Sequence, residues 1–168
     1  MLVKNMLVII AVFAFSVSAL AQDKAFKLSN IPPLERAIIC IKYFEGWHSK
    51  EHYPYIGYGH KLLPGEKLTY NLTEKQADSL LRVDILKRYM TFKKYGKNAL
   101  LLAVLSYNVG EYRLLGYSNY PKSKLLQKIE AGDRNIYNEY LSFCRYKGKI
   151  LKSLMVRRKV EFALFYKP

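Results

Sequence analysis

Apolar residues recur every three or four positions along most of this sequence, which is the spacing of helices that bury one face. The first such run follows Asn30, which is placed to cap a helix with Pro32 and Pro33 in its first turn. The run ends in a carboxylic acid, Glu45, directly before Gly46. The pattern therefore predicts a helix that carries Glu45 at its C-terminal end.

Two further helices are predicted in the middle of the chain. Thr73 and Gln76 form a capping box that opens a long helix ending near Gly96. Residues 98–107 are apolar on nearly all sides, which is typical of a buried central helix, and Gly110 is placed to close it.

The C-terminal part predicts shorter elements. Residues 112–120 are aromatic and irregular, and residues 122–131 form a helical pattern that ends before a glycine. Asp133 is placed to cap a further helix that stops near Gly148, and residues 153–165 predict the last helix.

One stretch has a different pattern. Gly57 and Gly59 alternate with Ile56, Tyr58 and His60, which predicts a small, sharply turned strand or hairpin. No repeat or second domain is evident in the sequence. We therefore expect an α+β fold that is mostly helical, with one small N-terminal β-hairpin or sheet.

The N-terminus resembles an export signal. Residues 1–21 combine a basic Lys4, an apolar run too short for a comfortable transmembrane helix, and a small residue, Ala21, at the cleavage position. We expect residues 22–168 to form a single domain after a mobile leader over about residues 22–30; an uncleaved membrane anchor is the alternative. The mature protein would be exported to the periplasm or outside the cell, with no stable membrane span.

The composition is strongly basic: Lys and Arg number 28, Asp and Glu number 13, and the formal net charge is +15. Such a charge favours an anionic partner such as nucleic acid, a membrane surface or an acidic polymer. An exported protein meets wall polymers before nucleic acid, and peptidoglycan carries carboxylates. We expect a monomer that binds bacterial peptidoglycan and no nucleic acid.

Cysteine and histidine usage does not predict a metal site. Cys40 and Cys144 both fall in predicted helices, where export permits a disulfide but buried free thiols fit equally well. Three scattered histidines and two distant cysteines lack metal-ligand spacing. We expect no metal and no cofactor.

Glu45 is the candidate for acid chemistry. A carboxyl group at a helix end, facing a compact hairpin, is well placed to donate a proton to a substrate. Partial burial against an aromatic residue such as Trp47 would favour its protonated form. The alternative is a solvated helix-end residue.

Several short motifs occur in a fixed order. Glu-Gly at 45–46 is followed by Ile-Gly-Tyr-Gly-His at 56–60, Ser-Tyr-Asn-Val-Gly at 106–110, Ala-Gly-Asp at 131–133 and Arg-Arg-x-x-Glu at 157–161. In this order and spacing they resemble the phage-type lysozymes, glycoside hydrolase family 24. The resemblance implies a two-lobed lysozyme-like fold with a helical C-terminal lobe. It also implies muramidase activity, hydrolysis of the β-1,4 bond between N-acetylmuramic acid and N-acetylglucosamine, with Glu45 as general acid.

The chain departs from the family pattern in one respect. The family usually places an Asp nine residues after the catalytic Glu and a Thr before Ile-Gly, whereas this chain has Pro54 and Tyr55 there. Glu51 is the only other carboxylate before the final His of the motif, so it is the candidate second catalytic group. A solvated loop residue is the alternative, and His48 or His52 is a competing base or substrate-binding group.

Other residues have expected roles in binding or structure. Tyr55 is a candidate for orienting water or stacking on sugar, Asn108 for a hydrogen-bonded position in the cleft, and Arg157 for contact with Glu45 or the glycan. The family commonly pairs a His with an acid, so a structural His60–Asp84 contact is expected.

Three functions compete. The first is an exported, bacteriolytic muramidase. The second is a catalytically inactive peptidoglycan-binding module on the same fold, because the family's Asp and Thr are missing. The third is a membrane-active antimicrobial protein, which the mixed helical faces disfavour.

Overall fold

The first helix, α1 (Pro33–Glu45), begins at the second of two prolines. The computed structural model describes residues 30–168, so the predicted signal peptide lies outside the described residues. The N-cap residue is Pro32, which has no side-chain cap, rather than the Asn30 predicted for that position. Proline suits the first helical position because its missing N–H would have no partner there and its φ is already helical.

The predicted hairpin follows α1 and is confirmed. A 3₁₀ turn (Lys50–His52) leads into β1 (Tyr55–Ile56), which pairs antiparallel with β2 (His60–Lys61). The glycines allow the hairpin to turn sharply and also to pack closely on the next helix. Gly57 has a φ of +56°, and a Cβ atom there would lie 2.9 Å from the Cβ atom of Ala77. The hairpin therefore sits directly on the helix that follows.

The middle of the chain agrees with the sequence pattern. The Thr73 capping box is present and opens α2 (Glu74–Phe92), which continues into a 3₁₀ segment (Lys93–Asn98) interrupted at Gly96. The central helix, α3 (Ala99–Val109), is buried on nearly every side. Burial all round explains why its sequence shows no polar face.

The C-terminal part contains four helices. They are α4 (Tyr112–Leu115), α5 (Lys124–Glu130), α6 (Tyr137–Leu141) and α7 (Lys152–Phe165). Ser123 caps α5 through a bond to the Leu126 amide. The last helix matches its predicted position within one residue.

One predicted element is wrong. Asp133 accepts from the Asn135 amide in a turn instead of capping a helix, and α6 ends well before Gly148. After a 3₁₀ turn (Ser142–Cys144) the chain forms a second hairpin, β3 (Arg145–Tyr146) and β4 (Lys149–Ile150). Its turn needs a positive φ at both central residues, Lys147 and Gly148, which have 48° and 78°.

The elements form the mostly helical α+β fold expected from the sequence. Residues 32–168 make one compact unit in which α1, α2 and α7 all pack against α3. The first hairpin and its following loop form the smaller lobe, and α2 connects them to the helical lobe. Both cysteines are buried and free. Within residues 30–168, no helix is long and apolar enough to cross a membrane.

Candidate active site

Glu45 lies where α1 meets both the first hairpin and α7. Its side chain is 17% exposed, and its Oε1 atom forms an ion pair with Arg157 Nη1 at 2.8 Å. A Cβ atom on Gly59 would lie 3.4 Å from Glu45 Oε2, in van der Waals contact, so the hairpin backbone lies directly beside the carboxylate. Trp47 packs edge-on against Tyr58 at 5.4 Å. The charged group paired with the Glu45 carboxylate is therefore the Arg157 guanidinium.

A buried acid holds Arg157 in place. Arg157 Nε donates to Glu161 Oε1 at 2.8 Å, and Glu161 is fully buried. The other oxygen of Glu161 accepts from Arg158 Nη1 at 2.6 Å and from the Tyr140 hydroxyl at 2.9 Å. Burial alone would lower the pKa of Arg157, but the carboxylates of Glu161 and Glu45 outweigh it and raise that pKa. Arg157 is therefore a fixed cation beside Glu45.

The same network reaches the central helix. Arg158, fully buried, donates through Nη2 to the side-chain oxygen of Asn108. The structure thus joins three of the predicted site residues, Glu45, Arg157 and Asn108, through Glu161 and Arg158. Sequence reasoning assigned no role to Glu161. The sequence did contain a signal for its role. Arg157 and Arg158 precede Glu161 by four and three residues, a spacing that places all three side chains on one face of a helix.

His60 joins the hairpin to α2. Its Nδ1 lies 2.6 Å from Asp84 Oδ2 and its Nε2 lies 3.0 Å from Glu66 Oε2, so the expected His60–Asp84 contact is present. The hydrogen bond to Asp84, with that to Glu66, raises the pKa of His60 against the opposing effect of burial. The protonated ring donates from both nitrogens. Glu66 was missed from the sequence; it follows a turn and also accepts from the Leu63 amide at 2.8 Å.

A tyrosine of the central helix fixes the hairpin from the other side. The Tyr107 hydroxyl donates to the backbone carbonyl of Tyr58 at 2.9 Å, and the Arg88 guanidinium lies 5.3 Å from the Tyr107 ring. The Tyr58 hydroxyl in turn donates to Glu74 at 3.2 Å. Burial and then the Glu74 charge raise the pKa of Tyr58 to about 12. The backbone around Gly59 is therefore held against Glu45 by α3 as well as by α2.

The remaining candidates lie on β1 and on the segment between α1 and β1. Glu51 is exposed in the 3₁₀ turn and makes no hydrogen bond or ion pair within residues 30–168. The structure does not bring it into contact with Glu45. Tyr55 is exposed, with its ring 6.1 Å from His48, whose ring is 5.0 Å from His52. The buried Nδ1 atom of His48 has no hydrogen-bond partner in the described part of the chain.

The arrangement of His, Cys, Asp and Glu side chains bears on metal binding. Among residues 30–168, no group of three or more His, Cys, Asp or Glu side chains is placed to hold a metal ion.

Comparison with known proteins bears on the fold and the family of this chain. The muramidase domain of SpmX from Asticaccaulis excentricus has the same lysozyme-like fold, with a TM-score of 0.61 at 22% sequence identity, covering 79% of this chain and 96% of that chain. The sequence matches the phage lysozyme family over residues 42–161, and the chain belongs to that family. At the family level it is a peptidoglycan hydrolase. No curated protein matches the sequence.

Proposed function

We propose that the protein is a muramidase that cleaves the β-1,4 bond between N-acetylmuramic acid and N-acetylglucosamine in bacterial peptidoglycan. The observation that supports this is the setting of Glu45, a partly exposed carboxyl group fixed between the hairpin backbone and Arg157. Glycoside hydrolysis requires an acid at the leaving oxygen, held in one orientation. Glu45 has that role in this proposal.

Arg157 assists the proton transfer as a positioning residue. When Glu45 donates its proton it becomes negatively charged, and the Arg157 guanidinium 2.8 Å away stabilises that charge as it develops. Glu161 holds Arg157 through its Nε atom, so little reorganisation is needed during the reaction. Asn108 ends the second branch of this network and remains the proposed contact to the glycan, together with Tyr55.

The second half of the reaction needs a group that activates water or attacks the sugar. Glu51 is the proposed second carboxylate, because its side chain has no partner within residues 30–168 and is free to accept a proton. His48 is the competing group, because its buried Nδ1 atom is also without a partner there. Both lie on the segment between α1 and β1.

The decisive experiment compares Glu45→Gln with Glu51→Gln on purified peptidoglycan, with Glu130→Gln as a control acid on α5. General acid catalysis contributes about 10²–10⁴-fold, so Glu45→Gln should lose that much turnover while remaining folded. If Glu51 is the second carboxylate, its loss should approach that of Glu45, and the double variant should be little worse than either. A modest fall for Glu45→Gln would refute its role.

A binding module without activity is the second candidate function. The position where the family has its Asp holds Pro54, and Glu51 does not contact Glu45. A pull-down with cell wall and an absent lysis band in a zymogram would support the binding module. A lysis band, with new reducing ends in the digest, would support the muramidase.

We also propose that the protein acts as a monomer outside the cytoplasm. The signal segment, residues 1–21, would be removed so that the mature chain begins at Gln22. Mass measurement of protein exported from its host checks the cleavage. A full-length mass in the membrane fraction would contradict it. Separately, we propose that the contact between His60 and Asp84 stabilises the fold and takes no part in catalysis.

A further inference from the structure

Three tyrosines protrude from the segment between α3 and α5, residues 112–120, which we call the tyrosine loop. Tyr112 is 53% exposed, Tyr117 is 77% exposed and Tyr120 is 66% exposed. Within residues 30–168 none of their hydroxyls has a hydrogen-bond partner. These rings add little to the core. They do offer the two groups that suit a sugar, an apolar ring face and a hydroxyl.

The backbone of the tyrosine loop is fixed. Tyr117 and Tyr120 exchange two backbone hydrogen bonds, of 3.0 Å and 2.9 Å, which close the turn. Gly116 has a φ of +79°, and a Cβ atom there would lie 2.7 Å from the Tyr120 carbonyl oxygen. The Tyr112 and Tyr120 rings meet edge to face at 6.1 Å. A preformed surface of this kind loses little conformational entropy when a ligand binds.

The tyrosine loop begins at the active-site end of the central helix. Gly110 closes α3, and the Tyr112 ring packs so closely on it that a Cβ atom would lie 2.8 Å away. The last turn of α3 carries Tyr107, which bonds the hairpin, and Asn108, which bonds Arg158. The last turn of α3 therefore contacts the groups around Glu45 and leads directly into the tyrosine loop.

The charges around the tyrosine loop match the same polymer. Arg113 and Lys124 are exposed and form no ion pair within residues 30–168. Peptidoglycan is a chain of pyranose rings with peptide branches that carry carboxylates. We propose that the tyrosine loop is a carbohydrate-binding surface that holds the peptidoglycan glycan strand beyond the bond that is cleaved. This inference rests on the substrate class of the proposed function and is independent of turnover.

The test measures binding in a Glu45→Gln background, so that no substrate is consumed. Tyr117→Ala together with Tyr120→Ala should weaken binding to purified sacculi by about fivefold to tenfold, the effect of truncating aromatic anchors at an interface. Tyr146→Ala is the matched control, because Tyr146 is 60% exposed on the second hairpin. Tyr117→Ala alone serves if the double variant melts early.

The outcomes separate this inference from the proposed function. Equal binding by the tyrosine-loop and control variants would overturn the inference, even if the parent protein hydrolyses peptidoglycan. Tyrosine-dependent binding by a parent protein without turnover would overturn only the muramidase assignment. If the tyrosine loop binds glycan, the tyrosine variant should also bind more weakly to sacculi stripped of their peptides. If the variant and the parent bind stripped sacculi equally well, the loop binds the peptides and the inference is overturned.

Discussion

Replacing Glu161 with glutamine removes a carboxylate that joins two buried arginines. Glu161 is fully buried and accepts from Arg157, Arg158 and Tyr140. A glutamine of the same shape presents an NH₂ group where one carboxylate oxygen accepted a bond, so a donor faces a donor. Arg158 also loses its counter-charge, and Arg157 keeps only that of Glu45. Breaking a buried ion pair costs about 3–5 kcal/mol.

We expect Glu161→Gln to lower the free energy of unfolding by about 4 kcal/mol, since two cations share the lost partner. For a chain of this size each kcal/mol corresponds to about 2–4 °C, so the melting temperature should fall by roughly 8–16 °C. Urea unfolding followed by circular dichroism measures the free energy directly. Glu130→Gln is the control, because its ion pair with Lys122 lies on the surface. That change should leave the urea midpoint nearly unaltered.

A second measurement separates positioning from stability. Glu161 holds Arg157, which contacts Glu45, so folded Glu161→Gln should also turn over more slowly, with kcat reduced more than KM is changed. The assay is run at a temperature where the variant is fully folded. A stability loss no larger than that of Glu130→Gln would refute the reasoning about the buried network. Full turnover in a destabilised variant would refute only the positioning role.

Three further predictions follow from particular contacts. The hydrogen bond to its aspartate partner raises the pKa of His60, so its stabilisation is complete below the unfolded value of about 6.5 and is lost as pH rises through the folded pKa. In the parent protein the urea midpoint should therefore fall as pH rises above about 6.5, and His60→Asn should abolish that fall. Equal pH slopes in both proteins would contradict this. Gly59→Ala should reduce turnover more than Gly46→Ala, because both glycines have positive φ but only the first would bring a Cβ atom against Glu45. Comparable peptidoglycan hydrolysis by both variants would speak against the close contact. Burial raises the pKa of the Cys40 thiol, so a thiol reagent should leave it unmodified at neutral pH until urea unfolds the chain, as mass spectrometry of labelled peptides would show. Rapid labelling of native protein would contradict its burial.

Local signals in the sequence were sufficient for most of the helices. The capping box at Thr73 and the glycines at Gly46 and Gly110 act on their own neighbours, so the ends that they set are visible in the sequence. The second hairpin was missed for a physical reason. Its strands have two residues each and are exposed on both faces, so they show no alternation of apolar and polar positions.

The site was less predictable than the fold, because its contacts join residues far apart in sequence. Glu45 could be selected from its motif, but its contact with Arg157 depends on how α7 packs beside α1. Glu161 shares its helix with both arginines but also bonds Tyr140 on α6, and Glu66 bonds His60 on β2. The spacing within α7 could have shown which acid faces the two arginines, but only the packing shows that this acid is buried and that Arg157 reaches Glu45.

The two halves of glycoside hydrolysis are unequally supported by these contacts. For proton donation, Glu45 has a fixed cation beside it and a hairpin backbone against it. For the opposite face of the sugar, the candidates within residues 30–168 are Glu51, His48, His52 and Tyr55, and none forms a hydrogen bond or ion pair with Glu45. An oxocarbenium-like transition state needs both halves, so a protein with the acid alone would bind the glycan and turn over slowly. The Glu51 variant is therefore the more informative experiment. A silent change there would leave the proposed muramidase with Tyr55, a histidine or no side chain to activate water. A large loss would identify Glu51 as the group in place of the family's aspartate.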